Sequence, residues 1–154
     1  MEQTLIILKP SAIQRELIGE ILGRFERKGL YFTGLKMILL SDKILDEHYA
    51  HLKDKPFFKS MKEGMQVCPV IVGCIEGKDA VKVVRTLCGT TNGREALPGT
   101  IRGDFSVSVE QNIIHASDCP ENAKIEINRF FKTDEIFSYK PSTLNFRYGN
   151  NEID

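Results

Sequence analysis

The chain has 154 residues, enough for one domain with a real core but hardly for two. Apolar residues make up 42% and charged residues 27%, the balance of an ordinary globular protein. Lys+Arg and Asp+Glu number 21 each, which excludes a basic coat that would hold nucleic acid by counterion release alone, though cations could still converge in a local pocket.

The opening stretch has no basic n-region, and the apolar run Leu5 to Leu8 is too short for a signal peptide or a membrane span. Cys68, Cys74, Cys88 and Cys119 are widely spaced with no C-x-x-C, so they read as reduced thiols of a cytoplasmic protein, used as small core hydrophobes. TLIILK, Thr4 to Lys9, is a nearly continuous apolar run that suits a buried central strand ended by Pro10. Ser11 and Gln14 have the spacing of a capping box. Ile13, Leu17, Ile18, Ile21, Leu22 and Phe25 then recur at helical spacing up to Gly29. Tyr31 to Leu40 reads as a second strand, and Ser41 to Gly64 as two short helices broken near Pro56. VCPVIVGCIEG is a third strand, with Pro69 implying an edge or a strand start.

Asp79 to Cys88 has the apolar spacing of an amphipathic helix. GTTNGREALPGTIRGDF lacks a helical period, and a loop of that length is uncommon unless it has a task. NIIH gives a brief last strand, and Asp118 and Pro120 open a final helix with Ala123, Ile127, Phe130 and Phe131 facing inward. The order β-α-β, helical insert, β-α-β-α predicts a ferredoxin-like α+β fold, an antiparallel βαββαβ sheet with helices packed against it.

Neither G-x-x-x-x-G-K-[ST] nor G-x-G-x-x-G occurs. His48 and His51, beside Glu47, have i, i+3 spacing but no third metal ligand at a sensible distance along the chain, so a solvated helix face is the better reading. What remains is a set of polar residues at element ends: Lys9, Arg85, Thr91, Arg102, Asn112, His115, Ser117 and Glu126. Taken singly, His115 reads as a structural histidine. As a set the residues have chemical logic. A neutral imidazole with one nitrogen free and the other held is a nucleophile towards phosphorus, arginines and a lysine suit a polyphosphate, and a Ser–Glu pair can orient the ring. Phosphoryl transfer asks chiefly for positioning and charge compensation.

With NIIHASD beside TIRGDF, and with TLIILKP, HYAHLKDKPFF and VKVVRTLCG, the sequence resembles the nucleoside diphosphate kinases from Thr4 to about Tyr139. The resemblance implies that His115 accepts the phosphoryl group in a ping-pong cycle while Ser117 and Glu126 hold and polarise its ring. It implies that Lys9 and Asn112 contact the ribose hydroxyls, Lys9 also the terminal phosphate, and that Tyr49 reaches the transferred group. Arg85, Thr91 and Arg102 would bind the β and γ phosphates, and Phe57 and Val109 would flank the base, giving broad tolerance of nucleoside tri- and diphosphates. Mg²⁺ would arrive on the nucleotide, held by phosphate oxygens and water, with no metal site of the protein's own.

Departures from the family pattern are few: Ala116 for glycine after the nucleophile, Gly93 for a loop proline, Lys55 for arginine, Met61 for leucine and His51 for aspartate. Gly93 is expected to loosen its loop. A ferredoxin-like RNA-binding module is the competing reading, but the strands offer no aromatic platform and the chain no net charge, which argues against nucleic acid as a partner. Residues 1–140 are taken as the kinase-like domain and 141–154 as a C-terminal extension. The resemblance implies a homo-oligomer, a hexamer in preference to a tetramer because longer C-termini accompany hexamers in the family, and Leu144, Phe146 and Tyr148, apolar in a segment without period, are expected to pack on a neighbouring subunit.

Overall fold

A computed structural model describes residues 1–153. Its four strands are β1 (Glu2–Leu8), β2 (Tyr31–Ile38), β3 (Val70–Gly77) and β4 (Ile114–Ala116), and they form one sheet in the order β2-β3-β1-β4. Every pairing is antiparallel: β1 with β3, β1 with β4, and β2 with β3. This is the expected ferredoxin-like α+β arrangement. Pro69 stands just before β3, so of its two readings the strand start holds; β3 lies inside the sheet.

The unbroken apolar character of β1 follows from burial on both faces. Ile6 and Leu8 join Ile21, Phe25, Val84 and Ile101 on one side, whereas Leu5 and Ile7 join Leu45, Ile127, Phe130 and Phe131 on the other. Alternation along a strand produces this split, since successive side chains point to opposite faces. The helices α1 (Pro10–Gln14), α2 (Ile18–Lys28) and α5 (Ala80–Cys88) serve the first core. The helices α3 (Asp42–His48), α4 (Phe58–Met65) and α7 (Pro120–Phe130) serve the second. Phe25 is fully buried, and removing its ring would cost about 3–5 kcal/mol through lost transfer energy and a cavity.

Three local expectations are corrected. The helix anticipated from Ser11 onward is two helices, because Glu16 takes a left-handed φ of 57° between them. The Ser11–Gln14 capping box does not form: Lys9 is the N-cap, Pro10 opens α1, and the Ser11 hydroxyl is buried without a partner. The Gly89–Phe105 stretch contains a short helix, α6 (Ile101–Phe105), whose N-cap Thr100 accepts from the Gly103 N–H at 3.0 Å. Gly29, by contrast, ends α2 as anticipated, at a φ of 103° that favours glycine.

Gly93 does not sit in an open loop. Its N–H donates to the Ser108 carbonyl at 3.3 Å, and a Cβ placed on it would lie far inside van der Waals contact with the Ser106 carbonyl oxygen. Beyond residue 136 the chain folds back on its own domain: the Phe137 N–H donates to Thr33 O, the Tyr139 hydroxyl to Phe32 O, and the Lys78 N–H to the Tyr148 hydroxyl. Leu144 is thereby buried within the chain, whereas Phe146 is 91% exposed. All four cysteines are free, with Cys74 and Cys88 buried and Cys68 and Cys119 partly so. Among the described residues no helix is long and apolar enough to cross a membrane.

Candidate active site

The end of β1, the C-terminal end of α5 and the short strand β4 meet at one end of the sheet. Ile113 enters β4 with a φ of 73°, a rare conformation for a β-branched residue, and the Ile114 N–H donates to the Asn112 carbonyl at 2.8 Å across it. This tight γ-type turn sets Asn112 and His115 on the same rim. The Lys9 N–H donates to the Ile113 carbonyl at 2.9 Å and ties the end of β1 to the turn.

Lys9, Tyr49, Arg85, Thr91, Arg102, Asn112, His115 and Glu126 line a single cavity of about 660 Å³. Residues far apart in the chain therefore converge. Ser117 is fully buried behind the wall and reaches the site through Glu126. Phe57 and Val109 are not walls of the cavity; both are 46% exposed. A more open groove of about 840 Å³ adjoins across Arg85 and Asp118 and contains neither His115 nor Lys9.

His115 is held from one side only. Its Nε2 lies 3.1 Å from both carboxylate oxygens of Glu126, and the Ser117 hydroxyl donates to Glu126 Oε2 at 2.6 Å. Burial alone would raise the Glu126 pKa, but the hydrogen bond and charge of His115, then the Ser117 hydroxyl, hold it below the ordinary value. An ionised carboxylate can only accept, so the Nε2 of His115 carries a proton, and in the uncharged ring the lone pair is then on Nδ1.

Facing this ring is a cationic wall. The Lys9 ammonium donates to Asn112 Oδ1 at 2.6 Å, and the Asn112 amide donates to the Thr91 carbonyl at 3.3 Å. Burial, then the nearby Arg102, lowers the Lys9 pKa to about 8. Arg102 spends three donors on the carbonyls of Gly89 (2.8 Å), Asn112 (3.2 Å) and Ile114 (2.6 Å). A guanidinium has five N–H groups, which leaves two for a ligand. Arg85 is exposed on the last turn of α5 and free to turn into the cavity. Tyr49 is buried, its ring centroid 6.4 Å from that of His115, and burial followed by the charge of Glu126 raises its pKa.

The solvated helix face expected for His48 is corrected by the structure: the residue is buried, with its ring edge-on to His115 at 4.5 Å between centroids. His51, its presumed companion, is exposed in a separate 3₁₀ turn, Ala50–Leu52. His48, His115 and Glu126 offer donor atoms within 4.8 Å of one another. Glu126 is engaged by Ser117 and His115, and His48 Nδ1 by the Arg129 guanidinium at 3.2 Å, while His48 shares no hydrogen bond with His115 or Glu126.

The sequence matches the family model "Nucleoside diphosphate kinase" over residues 2–136. A nucleoside diphosphate kinase of Parabacteroides distasonis is 64% identical over 99% of this chain and 100% of its own. One from Archaeoglobus fulgidus is 45% identical over 96% and 98%. Among solved structures, a halophilic nucleoside diphosphate kinase from Halobacterium salinarum in complex with CDP superposes with a TM-score of 0.93 at 38% identity, covering 96% of this chain and 98% of that one. The apo enzyme of Encephalitozoon cuniculi does so with a TM-score of 0.92 at 44% identity, over 96% and 100%.

Proposed function

Because the chain belongs to the nucleoside diphosphate kinase family and is an enzyme of that activity, we propose that it works by a ping-pong mechanism through a phosphohistidine on His115. The observation that carries this reading is the one-sided hold on the ring: Nε2–H on Glu126 and Nδ1 free.

In the first half-reaction the Nδ1 lone pair attacks the γ-phosphorus of a nucleoside triphosphate. An N–P bond forms, the bond to the β–γ bridging oxygen breaks, and the diphosphate leaves with those electrons. The ring gains positive character, which the Glu126 carboxylate stabilises through the proton retained on Nε2. Ser117 fixes that carboxylate. A diphosphate then enters and its terminal oxygen attacks the same phosphorus, restoring His115.

Lys9, Arg85, Arg102 and Thr91 neutralise and orient the polyphosphate, with Tyr49 at the transferred group. Lys9 and Asn112 meet the ribose. Mg²⁺ belongs to the substrate. Phosphate oxygens and water would hold the ion, and it would offset phosphate charge beside Lys9, Arg85 and Arg102. Phe57 and Val109 offer the base only π and apolar faces, which every nucleobase can use, so purine and pyrimidine nucleotides are all substrates. Four free cysteines suit a reducing compartment such as the cytoplasm.

The test is covalent trapping. Protein mixed with γ-labelled Mg·ATP and no acceptor should retain label that is acid-labile, base-stable and discharged by any nucleoside diphosphate. His115→Asn should retain none. Label on the Asn variant, or acid-stable label on the wild type, would overturn the reading.

A further inference from the structure

Glu126 and Arg129 lie three residues apart on α7, where opposite charges ordinarily pair directly. Here they do not. The Arg129 guanidinium donates through Nη1 to His48 Nδ1 at 3.2 Å, and its Nε is 3.9 Å from the Glu47 carboxylate. The same His48 Nδ1 is 3.8 Å from Glu126 Oε1, so one ring nitrogen lies near both the arginine and the carboxylate that holds His115.

We propose that His48 is a positioning residue, whose Nδ1 lone pair intercepts Arg129 and so reserves the Glu126 carboxylate for His115 and Ser117. The role needs an uncharged ring, since an imidazolium has no acceptor. Burial, then the neighbouring His115, lowers the His48 pKa to about 3 even though Glu126 opposes the shift; Arg129 and His51 act in the same lowering sense. The His48 side chain is 1% exposed, and with Nδ1 accepting from Arg129 the ring proton of the neutral imidazole is on Nε2. Rings of Tyr49, Phe130 and His115 pack edge-on around it at 4.6, 5.1 and 4.5 Å and fix the direction of Nδ1.

Without that acceptor Arg129 would turn along the helix to Glu126. A direct bidentate pair would draw the carboxylate from His115 and share its charge, weakening support of the phosphohistidine. Substrate contacts would stay as they are, so the loss belongs in turnover and not in binding.

The experiment is a double-mutant cycle on the full chain. His48→Phe, which keeps the ring and removes the acceptor, should lower kcat by about tenfold or more while KM changes by less than about threefold. His48→Asn puts an amide oxygen where Nδ1 stood and should recover most of that loss. Arg129→Leu alone should stay within about threefold of wild type, and His48→Phe/Arg129→Leu should regain at least most of the kcat lost by His48→Phe. An additive double variant, or an Asn variant as slow as the Phe variant, would overturn the proposal. Should His48→Phe not fold, Glu47→Gln, at the half-exposed edge of the cavity, supplies the test: it should slow turnover about twofold with Arg129 present and not at all in the Arg129→Leu background. An equal effect in both backgrounds would refute it. The proposal rests on His115 as phosphate acceptor. If that reading failed, the wild type would trap no label; if this one failed, trapping would persist and only the rescue would be missing.

Discussion

His115 Nε2 lies 3.1 Å from each carboxylate oxygen of Glu126, and the Ser117 hydroxyl reaches the same carboxylate at 2.6 Å. Removal of the two contacts to Glu126 should differ in effect. Glu126→Gln keeps an acceptor but discards the charge, and charge-assisted hydrogen bonds are worth about 1.5–3 kcal/mol, so the phosphorylation rate should fall about 10- to 100-fold. Ser117→Ala removes a charge-assisted bond of the same class but leaves the carboxylate charge beside the ring, so it should slow the step less than Glu126→Gln does. Stopped-flow measurement of the first half-reaction separates these. A Ser117→Ala enzyme slower than Glu126→Gln would contradict the order of roles.

Lys9 gives a pH dependence with a definite sign. Its pKa in the free enzyme is about 8, lowered by burial and then by Arg102. A bound polyphosphate favours the ammonium and raises that pKa. Between the two values the complex holds more protons than the free protein, so affinity should fall as pH rises through this window. Calorimetry at about pH 8.5, just above that pKa, in buffers of different ionisation enthalpy should detect net proton uptake on diphosphate binding. Lys9→Met should abolish the uptake. Proton release would contradict the assignment.

Gly93 is predicted to be stabilising as it stands. Alanine there drives a Cβ into a backbone oxygen of Ser106, and overpacking of this kind costs about 1–3 kcal/mol. Proline adds loss of the N–H bond to Ser108. Both variants should therefore unfold at lower temperature than the parent in a calorimetric scan, with proline the worse. A proline variant with a raised Tm would show that the loop gains from stiffening, as the family resemblance first implied.

The C-terminal extension covers its own domain through Leu144 and Tyr148 but presents Phe146, 91% exposed. We expect that ring to pack on a neighbouring subunit of a hexamer. Light scattering at neutral pH should give a hexameric mass that drops on truncation after Lys140. A tetrameric mass unchanged by truncation would refute this.

Much of the architecture was legible because apolar periodicity reports which faces are buried. The continuous run in β1 foretold a strand covered on both sides, and Ala123, Ile127, Phe130 and Phe131 all turn inward on α7 and at its end. Failures fall where a single backbone conformation overrides the pattern. Glu16 breaks a helix whose apolar spacing runs straight through it. Thr100 caps a helix too short to display a period. The cavity set could be proposed from chemistry and resemblance, because cations and an imidazole at element ends have few other joint uses. His48 was misread as solvated because its value lies in which atom it turns towards Arg129, a relation between α3 and α7 that no spacing along the chain encodes.

Phosphorus is expected to bond to the His115 nitrogen that Glu126 does not touch. Base-quenched phosphoenzyme, made with Mg·ATP and digested in alkali, should give by ³¹P and ¹H NMR a single Nδ1-linked phosphohistidine in the peptide containing His115. An Nε2-linked isomer would mean that the Glu126 bond must break for catalysis, and phosphate on any other residue would remove His115 from the acceptor role.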